Sequence, residues 1–223
     1  MQKSSKKNVY LAQRRTPTQE RSHARTQKIL EVTAKLLENH GIEGLTTAMI
    51  AKELKMSVGS LYHYFPNKHA ILNVLATTWL AEMTLVLDQV SSTQTQDIPF
   101  AQLIDDILEG IYQVYRRQEA VLPLAQALSS IPELRHLDAE HDRLIITKMI
   151  KIFRNAGFVS TDNELNRIAR VFLELTHSLL IVAVDQRPVR SARTMADVKM
   201  MAIGMLEHHK DDTKPETRPV EAP

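Results

Sequence analysis

Apolar residues recur along this chain at helical spacing. Ile29, Leu30, Thr33, Ala34 and Leu37 share one face of a helix expected from about Ser22 to His40, and Gly41 is placed to end it, since glycine takes a left-handed backbone without strain. After Ile42 to Leu45, Thr46 or Thr47 offers an N-cap hydroxyl for a short helix reaching about Leu54. Three residues of turn follow. Ser57 then caps a third helix, Val58 to Phe65, which Pro66 stops because proline disfavours a helical residue before it and has no amide to donate. A long fourth helix starts from Asn67 and carries Ile71, Leu72, Leu75, Trp79, Met83, Val86, Leu87 and Val90.

The polar segment from Ser91 to Asp97 reads as a loop, and Pro99 opens a helix bearing Leu103, Ile104, Ile107, Leu108, Ile111 and Tyr115. A further helix is expected over about Glu119 to Ser129. Pro132 begins another, with Leu144, Ile145, Lys148, Met149, Ile152 and Phe153, and Gly157 terminates it. Asp162 is the expected cap of the most apolar helix of all. Its stretch Ile168 to Val184 is apolar over much of the circumference, which suits a helix buried between its own domain and a second subunit. The last helix, about Ala192 to His209, sets Met195, Val198, Met201, Ala202 and Met205 on one face. There is no internal repeat. With only six glycines and few β-branched runs, the chain reads as all-α, with about nine helices.

Composition adds exclusions. A 43% hydrophobic content over 223 residues suffices for a buried core. No run approaches the roughly 18 consecutive apolar residues of a spanning helix, so no membrane partner is expected. The basic N-terminus has no apolar region behind it, and the expected location is the cytoplasm. The absence of cysteine removes disulfides, thiolate nucleophiles and cysteine-based metal sites. Charge is uneven: up to Ala70 there are 12 Lys and Arg against 5 Asp and Glu, giving +7, while the remainder holds 16 against 21, giving −5. A basic front points to a polyanionic partner.

Two short helices joined by a tight turn, the second exposing small and aromatic polar residues, are the parts of a DNA-binding helix-turn-helix. Ile50, Ala51, Leu54, Met56, Val58, Leu61 and Phe65 can form its inner face, leaving Thr47, Gly59, Ser60, Tyr62, His63 and Tyr64 nearer the outside. Tyr62, His63 and Tyr64 combine ring faces with hydrogen-bonding tips able to reach phosphates and base edges. A partly buried Tyr62 packing under the fourth helix is the alternative, and it too leaves the hydroxyl able to meet a phosphate. Lys68 can meet a phosphate as a point charge. The basic arm with Lys3, Lys6, Lys7, Arg14 and Arg15 fits either minor-groove insertion or a solubilising role.

The segments Gly44-Leu45-Thr46-Thr47, Ile50-Ala51, Ser57-Val58-Gly59-Ser60-Leu61-Tyr62-His63-Tyr64-Phe65 and Asn67-Lys68 resemble the tetracycline-repressor (TetR) family. The detailed match runs from about Thr26 to Leu75, and the remainder is similar in helix number, length and apolar character. The resemblance implies a homodimeric transcriptional repressor that binds an operator palindrome in double-stranded DNA and is released by a small, largely apolar effector. It puts Thr47, Val58, Gly59, Ser60, Tyr62, His63, Tyr64 and Lys68 at DNA-contacting positions. The chain departs from its relatives at Lys55, which stands where glycine is common and would cost roughly 1 kcal/mol in a left-handed turn.

The implied organisation is a basic, disordered arm over residues 1–20, a helix-turn-helix domain over 21–68 with its motif at 46–65, a ligand-binding and dimerisation domain over 69–209, and a disordered tail over 210–223. Homodimerisation is expected through about 162–185 and 192–209. Candidate pocket residues are Phe100, Tyr112, Tyr115, Met149, Phe153, Phe172 and His177, all at positions that also suit simple core. His177, in an apolar stretch, requires a partner such as Thr176, a residue across the dimer, or a ligand. The cluster His136, Asp138, Glu140, His141 lacks a third fixed ligand, so no metal and no cofactor beyond the effector is expected. A helical enzyme or a protein-interaction adaptor is the rival class. The first is disfavoured by the lack of a phosphate loop, a His-Glu-x-x-His or a nucleophile elbow. The second leaves the basic front unexplained. An activator of the same fold would have the same sequence features.

Overall fold

The computed structural model describes residues 20–92 and 98–212. The basic arm up to residue 19, the core of the expected loop at 93–97 and the tail from 213 lie outside the described residues. Those described form helices and turns with no strand, in the order α1 (Glu20–Gly44), α2 (Thr47–Glu53), α3 (Val58–Tyr64), α4 (Lys68–Ser92), α5 (Phe100–Arg117), α6 (Val121–Ser130), α7 (Arg135–Asn155), α8 (Asp162–Val184) and α9 (Pro188–Asp212).

The helix ends follow local chemistry. Within α1 the helical backbone breaks at Gly41, with φ 65°, and Ile29, Leu30, Thr33, Ala34 and Leu37 are all buried as the spacing predicts. Asn67 Oδ1 accepts from the Ala70 amide at 2.9 Å and so caps α4. At the end of α7 the Phe158 amide donates to the Phe153 carbonyl and the Gly157 amide to Arg154, both at 3.0 Å, with Gly157 at φ 92°; this is a Schellman termination built on glycine.

Five boundaries differ from expectation. Helix α6 begins at Val121, not Glu119, because Ala120 sits in a left-handed conformation before it. Pro132 does not start α7: it opens a turn in which Leu134 and Arg135 donate to the Ile131 carbonyl, and the helix begins at Arg135. Thr161, not Asp162, caps α8, its hydroxyl accepting from the Glu164 amide at 3.3 Å, while Asp162 supplies a negative charge in the first turn. Helix α9 starts four residues early, at Pro188, where proline's missing amide costs nothing. At its other end it continues to Asp212, into the stretch expected as tail.

By their contacts the described residues gather into two units, one within 20–82 and 116–141 and the other within 83–92, 98–115 and 142–212. In the first, α6 packs on α1, and α2 on both α1 and α3. Its core includes Ile29, Leu37, Leu45, Ile50, Leu61, Phe65, Ile71 and Trp79. In the second, α9 packs along α8, and a continuous apolar cluster joins Ile104, Ile107, Met149, Phe153, Phe172, Val198 and Leu206. Gly110 lies so close to Val86 that a Cβ there would sit 2.6 Å from Val86 Cγ1.

Residues 68–91 of α4 are long and apolar enough to match a membrane span by length and composition, contrary to expectation from consecutive apolar runs. Half of an apolar 18-residue window within it is buried inside the protein, as in a core helix. Thr77 and Thr78, exposed on another side of the helix, donate their hydroxyls back to the carbonyls of Asn73 and Val74.

Candidate nucleic-acid interface

The two short helices of the first unit are held by caps at their starts. Thr46 Oγ1 accepts from the Met49 amide at 3.2 Å, which identifies Thr46 as the cap and frees the Thr47 side chain. Ser57 Oγ accepts from the Ser60 amide at 3.0 Å and lies 2.8 Å from the Ser60 hydroxyl. Each cap satisfies an amide that the helix cannot satisfy itself.

Between them α2 ends in a Schellman motif. The Met56 amide donates to Ala51 at 2.9 Å and the Lys55 amide to Lys52 at 3.1 Å. Lys55 occupies the glycine slot with φ 50°, so the turn keeps its shape despite the side chain. Ile50, Ala51, Leu54, Leu61 and Phe65 are buried on the inner face, with Met56 and Val58 half-buried at its margin.

The outer face of α3 presents Gly59, Ser60, Tyr62 and His63 as exposed residues, with Tyr64 half-buried. Tyr62 is 39% exposed, and its hydroxyl lies 3.3 Å from Thr47 Oγ1, joining α2 to α3 on the outside of the motif. Thr47, Ser60, Tyr62 and His63 are therefore brought to one surface. Lys68 is used differently from expectation. Its ammonium donates to the carbonyls of Ile42 at 2.9 Å and Leu45 at 3.1 Å, stapling the α1–α2 connection to the start of α4. Two of its three N–H donors are thus occupied within the protein.

Two cations on this motif were not among the candidates. Lys52 and Lys55 are both exposed, at the end of α2 and in the turn. Their positive charges are the signal in the sequence that marks them.

In the second unit the candidate pocket residues Tyr112, Tyr115, Met149, Phe153 and Phe172 are buried, and Phe100 and His177 are half-buried. Phe153 stacks on Phe158 at 5.1 Å and meets Phe172 edge-on at 6.2 Å. The partner His177 requires is Tyr115, whose hydroxyl lies 2.5 Å from Nδ1. Thr176 instead donates to the Phe172 carbonyl at 2.7 Å. Tyr112 hydrogen-bonds Ser191. Among the described residues, no three His, Asp or Glu converge as a metal site.

Residues 29–75 match the family model described as "Bacterial regulatory proteins, tetR family", and residues 99–206 match "Tetracyclin repressor-like, C-terminal domain". Among curated proteins, the chain is 32% identical over 98 residues to the nucleoid occlusion factor SlmA of Haemophilus influenzae, a match spanning 42% of each chain. It is 34% identical over 71 residues to the tetracycline repressor protein class C of Escherichia coli, covering 32% of this chain and 30% of that one. The aligned region thus spans less than half the length of these two relatives. The HTH-type regulator YhgD of Bacillus subtilis aligns more fully, 23% identical over 77% of this chain and 91% of its own. Two solved structures share the fold. A TetR-family regulator from Syntrophomonas wolfei gives a TM-score of 0.67 at 14% identity, covering 83% of this chain and 96% of the other. PfmR of Thermus thermophilus gives 0.59 at 18%, covering 80% and 97%.

Proposed function

The chain belongs to the tetR family of bacterial regulatory proteins, and on that premise we propose that it is a cytoplasmic repressor, not an enzyme, that binds an operator palindrome as a homodimer. The observation that carries this reading is the outer face of α3, where Ser60, Tyr62 and His63 stand exposed and Tyr62 is braced by Thr47. In this reading Tyr62 and Thr47 contact the backbone, His63 reads a base edge, and the Gly59 amide and the Ser60 hydroxyl approach a phosphate closely. Val58 lies against the groove wall and Tyr64 supports the face from its half-buried position. Lys68 acts on DNA chiefly by holding the start of α4, with one donor left for a phosphate. Lys52 and Lys55 add to the field.

The homodimer forms through α8 and α9. Supporting this, Val171 and Val182 on α8 are 42% and 47% exposed and Met200 on α9 is 65% exposed, an apolar surface that water penalises. A small apolar effector entering the second unit near Tyr115, His177 and the Phe153–Phe172 cluster releases the DNA. Tyr115 and His177 are its most suitable polar contacts.

Selection of bound fragments from genomic DNA, followed by a salt series on the enriched sequence, tests the reading. Binding is expected to weaken log-linearly with salt. Absence of enrichment, or affinity independent of salt, overturns it.

A further inference from the structure

On α9 the residues Val189, Arg193, Ala196, Met200, Gly204 and Glu207 are all exposed. Their spacing of three or four residues stacks them along one helix face. The stripe has a symmetry of its own. Ala196 and Gly204 stand four residues to either side of Met200, and Arg193 and Glu207 stand seven to either side. Gly204 is open: a Cβ built there meets nothing within 4 Å. Among the described residues neither Arg193 nor Glu207 takes part in an ion pair, whereas Lys199 on another face of the same helix is bonded to Asp105 and Glu109.

We infer that α9 docks antiparallel on α9 of a second copy of this chain, about a two-fold axis passing beside Met200, with Arg193 of each copy paired to Glu207 of the partner subunit. The inference rests on the homodimer proposed above and fixes its register. A two-fold axis requires that if one residue meets a second, the second meets the first, so the residue a given number before Met200 faces the one that number after it. On this stripe that rule sets Ala196 against Gly204 of the partner subunit, letting the backbones approach, and gives each Met200 side chain a shallow hole to fill. It also sets opposite charges together twice. A parallel pairing would instead put arginine on arginine and glutamate on glutamate, so charge selects the antiparallel arrangement. Val171 on α8, the helix that packs on α9, is exposed as well.

The absence of native cysteine makes crosslinking a clean test, because every disulfide reports an introduced thiol. Met200→Cys is expected to crosslink to itself under mild oxidation. Ala196→Cys and Gly204→Cys should each fail alone, since the register separates identical positions by about 12 Å along the axis, well beyond the roughly 7 Å Cα limit of a disulfide. Mixed with each other, they should crosslink. Arg193→Glu and Glu207→Arg should each raise the dimer dissociation constant about tenfold, and the double exchange should restore it to within about threefold. A dimer in which Ala196→Cys crosslinks alone and Met200→Cys does not, or in which the exchange fails to restore affinity, overturns this register and leaves the dimer standing. A wild-type chain that sediments as a monomer at micromolar concentration overturns the dimer itself.

Discussion

Tyr62 and Thr47 meet through their hydroxyls, 3.3 Å apart, on the solvent side of the helix-turn-helix. The contact links the cap region of α2 to the middle of α3 without using any core residue. Being exposed, it contributes little to folding, because water replaces it readily. Its effect is to fix the Tyr62 ring across the face that Ser60 and His63 share. Tyr62→Phe is therefore expected to leave the thermal midpoint almost unchanged while lowering operator affinity by about three- to tenfold. Anisotropy titration beside a melting curve checks it. An unchanged affinity would remove Tyr62 from the interface.

Lys68 should behave in the opposite way. Its ammonium satisfies the Ile42 and Leu45 carbonyls, and Lys68→Met leaves both without that donor in a part-buried position. The expected loss is about 1.5–3 kcal/mol of stability, the range for hydrogen bonds to a charged group. Urea unfolding measures it. A variant as stable as the parent but weaker on DNA would make Lys68 a phosphate contact first and a staple second.

Lys55 offers a stabilising change. The Schellman ends of α2 and α7 have the same hydrogen-bond pattern, but α7 places Gly157 in the left-handed position and α2 places Lys55 there. Lys55→Gly relieves a strain of roughly 1 kcal/mol, and a midpoint raised by a few degrees is expected. No rise, or a fall, would show that the lysine side chain compensates its own backbone.

Much of this was legible in the residue pattern, and the exceptions share a cause. The apolar face of α1, its stop at Gly41 and the cap at Ser57 are local features, set within a few residues by periodicity, left-handed backbone and a hydroxyl in reach. The N-terminal bounds of α6, α7, α8 and α9 were harder to read. Proline can open a helix, as Pro188 does, or a turn before one, as Pro132 does, and the residues alone do not separate these cases. At the candidate interface, exposure of Ser60, Tyr62 and His63 followed from helical phase. The recruitment of Lys68 by carbonyls 26 and 23 residues earlier did not, because it depends on how α1 and α4 meet.

Gly110 tests the packing of the second unit. A Cβ at this position would lie 2.6 Å from a Val86 methyl, so Gly110→Ala forces α4 and α5 apart or turns the valine out of its rotamer. A loss of about 1–3 kcal/mol is expected from such overpacking. Val86→Ala in the same chain should recover most of it, since it removes the clashing methyl. A double-mutant cycle that finds the two changes additive would mean that the close approach is not what disfavours alanine.

Lys199 gives the second unit a pH signature. Burial alone would lower its pKa, but the hydrogen bonds to Glu109 and Asp105 outweigh burial and hold the ammonium above its ordinary 10.5. A lysine whose pKa is raised on folding stabilises the native state fully below the unfolded value, and that contribution disappears as pH rises through the folded value. The stability difference between the parent and Lys199→Met should therefore be flat from neutral pH to about pH 10 and shrink above it. In the variant, Asp105 and Glu109 on α5 lose the cation between them, so raising salt should narrow the difference at neutral pH by screening their repulsion. Thermal melts across pH 7 to 11 at low and high salt measure both effects. A difference that stays constant through the alkaline range would mean that Lys199 acts through the packing of its methylene stem and that the α5–α9 contact does not depend on its charge.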